Sequence, residues 1–122
     1  MKKKVLLVYE VDAERERIAE FLTFEGFEVI KSKLGSDVLN SIETQSCDVL
    51  VCDSNLPIMT AIEFINIAAH KNIINDNSML LICIEPNDSE ITCLTFNQRF
   101  HLINKPVARD EILKHLKTDG FA

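Results

Sequence analysis

Residues 47–59 read CDVLVCDSNLPIM. Asp48 to Cys52 is a short apolar run, rich in β-branched residues and bounded by polar ones. That pattern predicts a strand buried on both faces. Asp53 stands at the carboxyl end of the strand. Asn55 and Pro57 then interrupt regular structure, and a helical pattern begins near Thr60. In an open parallel α/β sheet, ligands bind outside the carboxyl ends of the strands. A carboxylate at that edge therefore needs an explanation, because charge between helix layers is costly. The plain alternative is a solvated aspartate that starts a turn.

Outward from this stretch, strand and helix patterns alternate. Lys4 to Val8 (KVLLV) reads as a first strand, ending at Tyr9-Glu10. Asp12 is expected to cap a helix over 13–24, with Ile18, Phe21 and Leu22 turned inward and Gly26 ending it. Phe27 to Lys31 is a second strand. Ser36 is expected to cap a second helix carrying Val38, Leu39 and Ile42 on its inner face. After the third strand, a helix over 60–71 has an inward stripe of Ile62, Ile65 and Ala69. Met79 to Ile84 (MLLICI) is a fourth strand, and a short helix over 89–97 follows the Glu85-Pro86-Asn87-Asp88 loop. His101 to Asn104 is a fifth strand, ending at Lys105-Pro106. A last helix over 109–117 carries Ile112, Leu113 and Leu116 in one stripe.

Five alternations predict an α/β domain over residues 1–122, a doubly wound five-stranded parallel sheet with helices on both faces. The right-handed crossover rule leaves few topologies. The flavodoxin-like order 2-1-3-4-5 brings the ends of strands one, three and five together. Glu10, Asp53 and Lys105 are thus expected to share one cleft.

Composition narrows the function. The 122 residues are 47% hydrophobic and 26% charged, with a net charge of −6. A chain of this length buries roughly two-thirds of its unfolded surface. The negative charge argues against direct nucleic-acid binding by this domain. The apolar run Val5 to Val8 is too short for a membrane span or a signal peptide's core, so a cytoplasmic location is expected. Cys47, Cys52, Cys83 and Cys93 lack metal-ligand spacing and read as reduced, mostly buried thiols. His70, His101 and His115 sit on different elements and read as surface or edge residues.

The chain resembles the receiver domains of two-component response regulators. The resemblance covers essentially the whole sequence. It is carried by Glu10 after the first strand, by the D-x-x-L-P-x-M run from Asp53 to Met59, and by the Lys105-Pro106 step. It implies that Asp53 accepts a phosphoryl group from a histidine kinase or phosphotransfer protein. It also implies that Glu10, Asp53 and the carbonyl of Asn55 hold Mg²⁺, and that Lys105 pairs with the phosphoryl oxygens. Oxygen donors suit a hard cation that keeps several waters, and phosphoryl transfer depends mainly on positioning and charge neutralisation.

Four positions depart from the family pattern. Tyr9 stands where the first of two adjacent acids is usual, leaving the site one carboxylate short, so weak Mg²⁺ binding is expected. Cys83 occupies the position of the switch hydroxyl, and a thiol is a weak hydrogen-bond donor. Ile84 replaces a small residue and is expected to crowd the acceptor. Leu102 replaces the aromatic whose rotation reports phosphorylation. Tyr9 and Leu102 read as packing residues, and Cys83 as a small buried hydrophobe.

Two functions fit these residues: a phosphoacceptor receiver, or a pseudo-receiver that keeps the fold and acts as a protein-interaction module. In either case the surface expected to meet a protein partner or a second copy is the 89–97 helix, the fifth strand and the last helix. A flavin-binding or aspartyl-phosphate enzyme is disfavoured. No Gly-rich phosphate loop follows the first strand, and Asn55 stands where such an enzyme needs a second acid. A turnover enzyme and a membrane protein are not expected.

Overall fold

The structure is a computed structural model that describes residues 3–39, 46–85 and 99–121. Its elements are β1 (Lys4–Val8), α1 (Asp12–Phe24), β2 (Glu28–Ser32), α2 (Gly35–Leu39), β3 (Val49–Asp53), α3 (Ala61–His70), β4 (Met79–Ile84), β5 (Arg99–Asn104) and α4 (Arg109–Thr118). All strand pairs are parallel, in the order β2-β1-β3-β4-β5. The expected sheet and strand order are therefore present. The helix expected over 89–97, Ile42 and Cys93 lie outside the described residues.

Strand alternation divides the core into two layers. Leu6, Val8, Leu50, Cys52, Leu80 and Ile82 face one way and pack with Val38 of α2 and with Phe64, Ile65 and Ala68 of α3. Val5, Leu7, Val49, Val51, Met79, Leu81, Cys83 and Ile103 face the other way, against Ile18 and Leu22 of α1 and Ile112 and Leu116 of α4. Every residue of β3 and β4 is buried, as a central position between two helix layers requires. Cys47, Cys52 and Cys83 are free and buried.

Several element ends differ from expectation, each for a local reason. Asp12 is not a cap: Val11 holds that position without a side-chain bond, and Asp12 instead accepts a 2.7 Å bond from Arg15. Ser36 lies inside α2, which starts at Gly35. Thr60 caps α3 rather than joining it. Its hydroxyl accepts from the Glu63 N–H at 3.1 Å while the Glu63 carboxylate accepts from the Thr60 N–H at 3.3 Å, a reciprocal capping box. The inward face of α3 is Ala61, Phe64, Ile65 and Ala68, and Ile62 and Ala69 are only half-buried.

β3 begins one residue later than expected, at Val49, and just before it the Asp48 carboxylate accepts from the Lys4 N–H at 2.8 Å. Gly26 ends α1 as expected, at φ +96. The Gly26 N–H donates to the Thr23 carbonyl and the Phe27 N–H to the Leu22 carbonyl, a Schellman closure. Asn72, at φ +62, closes α3 in the same way.

His101 and His115 are not scattered. Their rings stack at 4.2 Å between centroids, and His101 Nε2 lies 3.1 Å from Asp119 Oδ2. The pair joins β5 to α4, which the sequence pattern of neither element reveals.

Candidate functional site

The carboxyl edge of the sheet gathers four side chains. Cys52 of β3 is in register with Val8 of β1, and Asp53 with Cys83 of β4. Cys83 is in turn in register with Ile103 of β5. Alternation then puts Tyr9, Asp53, Cys83 and Lys105 on the α1/α4 side at the end of their strands. Backbone bonds fix that edge: the Ser54 N–H donates to the Cys83 carbonyl and the Lys105 N–H to the Ile84 carbonyl, each at 2.9 Å.

Asp53 and Lys105 form the centre. The Lys105 ammonium donates to Asp53 Oδ1 at 2.5 Å, with side-chain exposures of 15% and 3%. The Asn55 N–H donates to the same oxygen at 3.1 Å. Glu85 Oε1 lies 3.5 Å from the ammonium on the solvent side. The Tyr9 ring lies under it, 5.4 Å from centroid to Nζ. Burial is the largest single influence on Lys105 and works against its charge, but the bond to Asp53, the Asp53 charge and Glu85 together outweigh it, so the lysine pKa is held above its usual value.

Tyr9 and Cys83 are neutral neighbours. Burial, then the nearby Cys83 and Asp53, drives the Tyr9 phenol upward. Burial, then Asp53, pushes the Cys83 thiol up to about 12. At physiological pH Cys83 is therefore a thiol, and no thiolate opposes an incoming anion.

Glu10 is exposed and lines an open hollow of about 370 Å³ with Ser54, Asn55, Ile58 and Glu63. The backbone that carries it is held by Arg15, whose guanidinium donates to the carbonyls of Tyr9 at 2.9 Å and Glu10 at 3.3 Å. Glu10 and Asn55 thus share a hollow whose lining does not include Asp53 or Lys105, and Asn55 is its link to the pair, through the N–H bond to Asp53 Oδ1. No cluster of three or more His, Cys, Asp or Glu suited to a metal ion occurs among the described residues.

Ile84 packs in the layer opposite Cys83, with Leu56 and Ile82. The side chain beside Asp53 on its own face is Cys83, so crowding by Ile84 is corrected: alternation turns it away. Leu102 is half-buried and packs against the Ile84 layer.

Sequence reasoning missed Arg15 and Glu85. Glu85 directly follows β4, as Asp53 ends β3, and that analogy was the available signal. Arg15 gave none, because its partners are backbone carbonyls.

The family model described as "Response regulator receiver domain" matches residues 5–117. The chain belongs to the response regulator receiver family. Solved structures agree with this receiver's fold. A putative response regulator from Chloroflexus aurantiacus is 20% identical with a TM-score of 0.80, covering 98% of each chain. The chemotaxis protein CheY4 of Vibrio cholerae is 22% identical with a TM-score of 0.80, covering 97% of this chain and 98% of that one. A CheY-like receiver domain from Methylobacillus flagellatus is 19% identical with a TM-score of 0.74, covering 98% and 99%. A search of the curated proteins finds no match. Receivers as a family work with histidine kinases and phosphotransfer proteins, typically bind Mg²⁺, and are generally not classical enzymes. In this receiver, no helix among the described residues is long and apolar enough to cross a membrane.

Proposed function

We propose that this receiver accepts a phosphoryl group on Asp53 from a phosphohistidine of a kinase or phosphotransfer protein. The observation that carries the reading is the buried ion pair between Asp53 and Lys105. In the transfer, a carboxylate oxygen of Asp53 forms the new bond to phosphorus as the phosphorus–nitrogen bond to the donor imidazole breaks. The electron pair stays on the imidazole nitrogen, which takes up a proton. Lys105 remains protonated and moves its bond from Asp53 to the phosphoryl oxygens, offsetting the charge of about −1.5 to −2 that the phosphoryl group carries in place of the carboxylate's single negative charge. The Asn55 N–H steadies the carboxylate throughout.

The donor types at the cleft suit Mg²⁺: the carboxylates of Asp53 and Glu10 and the Asn55 carbonyl are hard oxygen ligands. With the uncharged Tyr9 in place of a further acid, the affinity is weak. When bound, the ion supplies charge neutralisation at the phosphoryl oxygens.

A pseudo-receiver is the second reading, favoured by the aromatic ring and the thiol at two positions where the family pattern has an acid and a hydroxyl. Under both readings the domain is not a turnover enzyme and works in the cytoplasm without contacting nucleic acid or membrane. Its partner surface is β5, α4 and the 89–97 segment, which lies outside the described residues.

The test is a titration with Mg²⁺ and beryllofluoride, followed by the amide shifts of Ile84 and Leu102. Saturable shifts that vanish in Asp53→Asn are expected. An unresponsive spectrum would favour the pseudo-receiver.

A further inference from the structure

Tyr9 occupies a slot that the proposed chemistry does not use. Its side chain is 2% exposed, deep beside an ion pair, and bears no charge. A residue that only filled space there could be any large apolar side chain. Tyr9 does more, because its face lies beneath the Lys105 ammonium at 5.4 Å. That is within the range over which an aromatic quadrupole attracts a cation, and the attraction strengthens away from water. Three groups therefore share one ammonium: a carboxylate at 2.5 Å, a second carboxylate at 3.5 Å, and the negative face of the ring.

The backbone of Tyr9 is fixed as well. Its N–H donates to the Ser32 carbonyl at 3.0 Å, and its carbonyl accepts from Arg15 at 2.9 Å. The ring is thus presented from a rigid strand end, and it is Lys105 that must come to it.

We propose that Tyr9 is a positioning residue, whose aromatic face beneath Lys105 holds the ammonium on the Asp53 carboxylate in a cleft where position 9 supplies no acid. A carboxylate at position 9 would draw a metal ion toward the edge; the ring instead draws the chain's own amine. Its use in phosphoryl transfer rests on the receiver reading. The positioning itself does not.

The experiment compares Tyr9→Phe with substitution of Tyr9 by a ring-trifluorinated phenylalanine, which keeps the shape but strips the face of its negative potential. Exchange of the Lys105 ammonium protons with water is followed by heteronuclear NMR, and thermal stability is measured alongside. Wild type and Tyr9→Phe are expected to exchange slowly and alike. The trifluorinated variant is expected to exchange about 2- to 30-fold faster, the span of measured cation–π strengths. Equal exchange in all three proteins would overturn the proposal and leave Tyr9 as packing alone. No phosphoryl donor is needed, so failure of the receiver reading appears separately, as a spectrum unmoved by beryllofluoride.

Discussion

The Lys105 ammonium reaches the Asp53 carboxylate across 52 residues of sequence, and the two meet at 2.5 Å with only 3% of the aspartate side chain exposed. The two partners differ in access to solvent, with 15% of the lysine side chain exposed. Removing one partner is therefore not equivalent to removing the other. Lys105→Met strands a buried carboxylate and is expected to cost about 3–5 kcal/mol of stability. Asp53→Asn leaves an amide oxygen for the Asn55 N–H and a lysine able to reach water, so a smaller loss is expected. Urea denaturation at neutral pH measures both, and equal losses would contradict the burial asymmetry.

Restoring the family's acid and hydroxyl should restore metal binding. Tyr9→Asp combined with Cys83→Thr is expected to raise Mg²⁺ affinity roughly tenfold or more, the scale of changes made around a metal's ligands. Phosphorylation by acetyl phosphate should rise with it. Calorimetry and phosphoprotein gels provide the readouts. No gain in either would show that these two positions are not the defect.

Ile58 is the least comfortable residue of the acceptor loop. It is β-branched, 84% exposed, and held at φ +75. The Met59 N–H donates to the Pro57 carbonyl at 2.8 Å, so Ile58 is the centre of a γ-turn with positive φ. Such a strained conformation costs about 1–3 kcal/mol, and no burial is gained in return. Ile58→Gly is expected to stabilise the domain by about 0.5–1 kcal/mol after the added freedom of the unfolded chain is counted. A fall in the urea midpoint would mean that the loop relies on the isoleucine side chain.

His115, stacked on His101, is expected to make stability depend on pH with a definite sign. Burial, then the neighbouring His101, lowers the pKa of His115 below 6.5, with Lys114 acting in the same direction and Glu111 and Asp119 opposing it. The unfolded chain then binds the proton more readily than the folded one. Stability from this group is complete above about pH 6.5 and is lost as pH falls through the lower folded value. Thermal melts from pH 7.5 to 5 should drop less steeply in His115→Phe, which keeps a ring against His101. An unchanged slope would remove His115 as the cause.

Much of this was legible in the chain itself. Five apolar runs separated by helical patterns marked a parallel sheet, because β3 and β4 are buried on both sides and show no polar alternation. The strand order came from the crossover rule and the flavodoxin-like topology. Asp53 and Lys105 were readable because each ends a strand. Helix starts were less so. Asp12 looks like a cap by residue type, yet Arg15 competes for its carboxylate and wins. The ring of Tyr9 under Lys105 and the stack of His101 on His115 depend on pairing between elements, which no local pattern encodes.

Because four strand ends contribute to the cleft by odd–even parity, its integrity depends on reading frame as much as on residue identity. Lengthening a connecting loop leaves that parity untouched. Inserting or deleting one residue within β1, β3, β4 or β5 would turn that strand's contribution into the opposite helix layer. Diversity in this scaffold is therefore tolerated at the joints and forbidden along the rails.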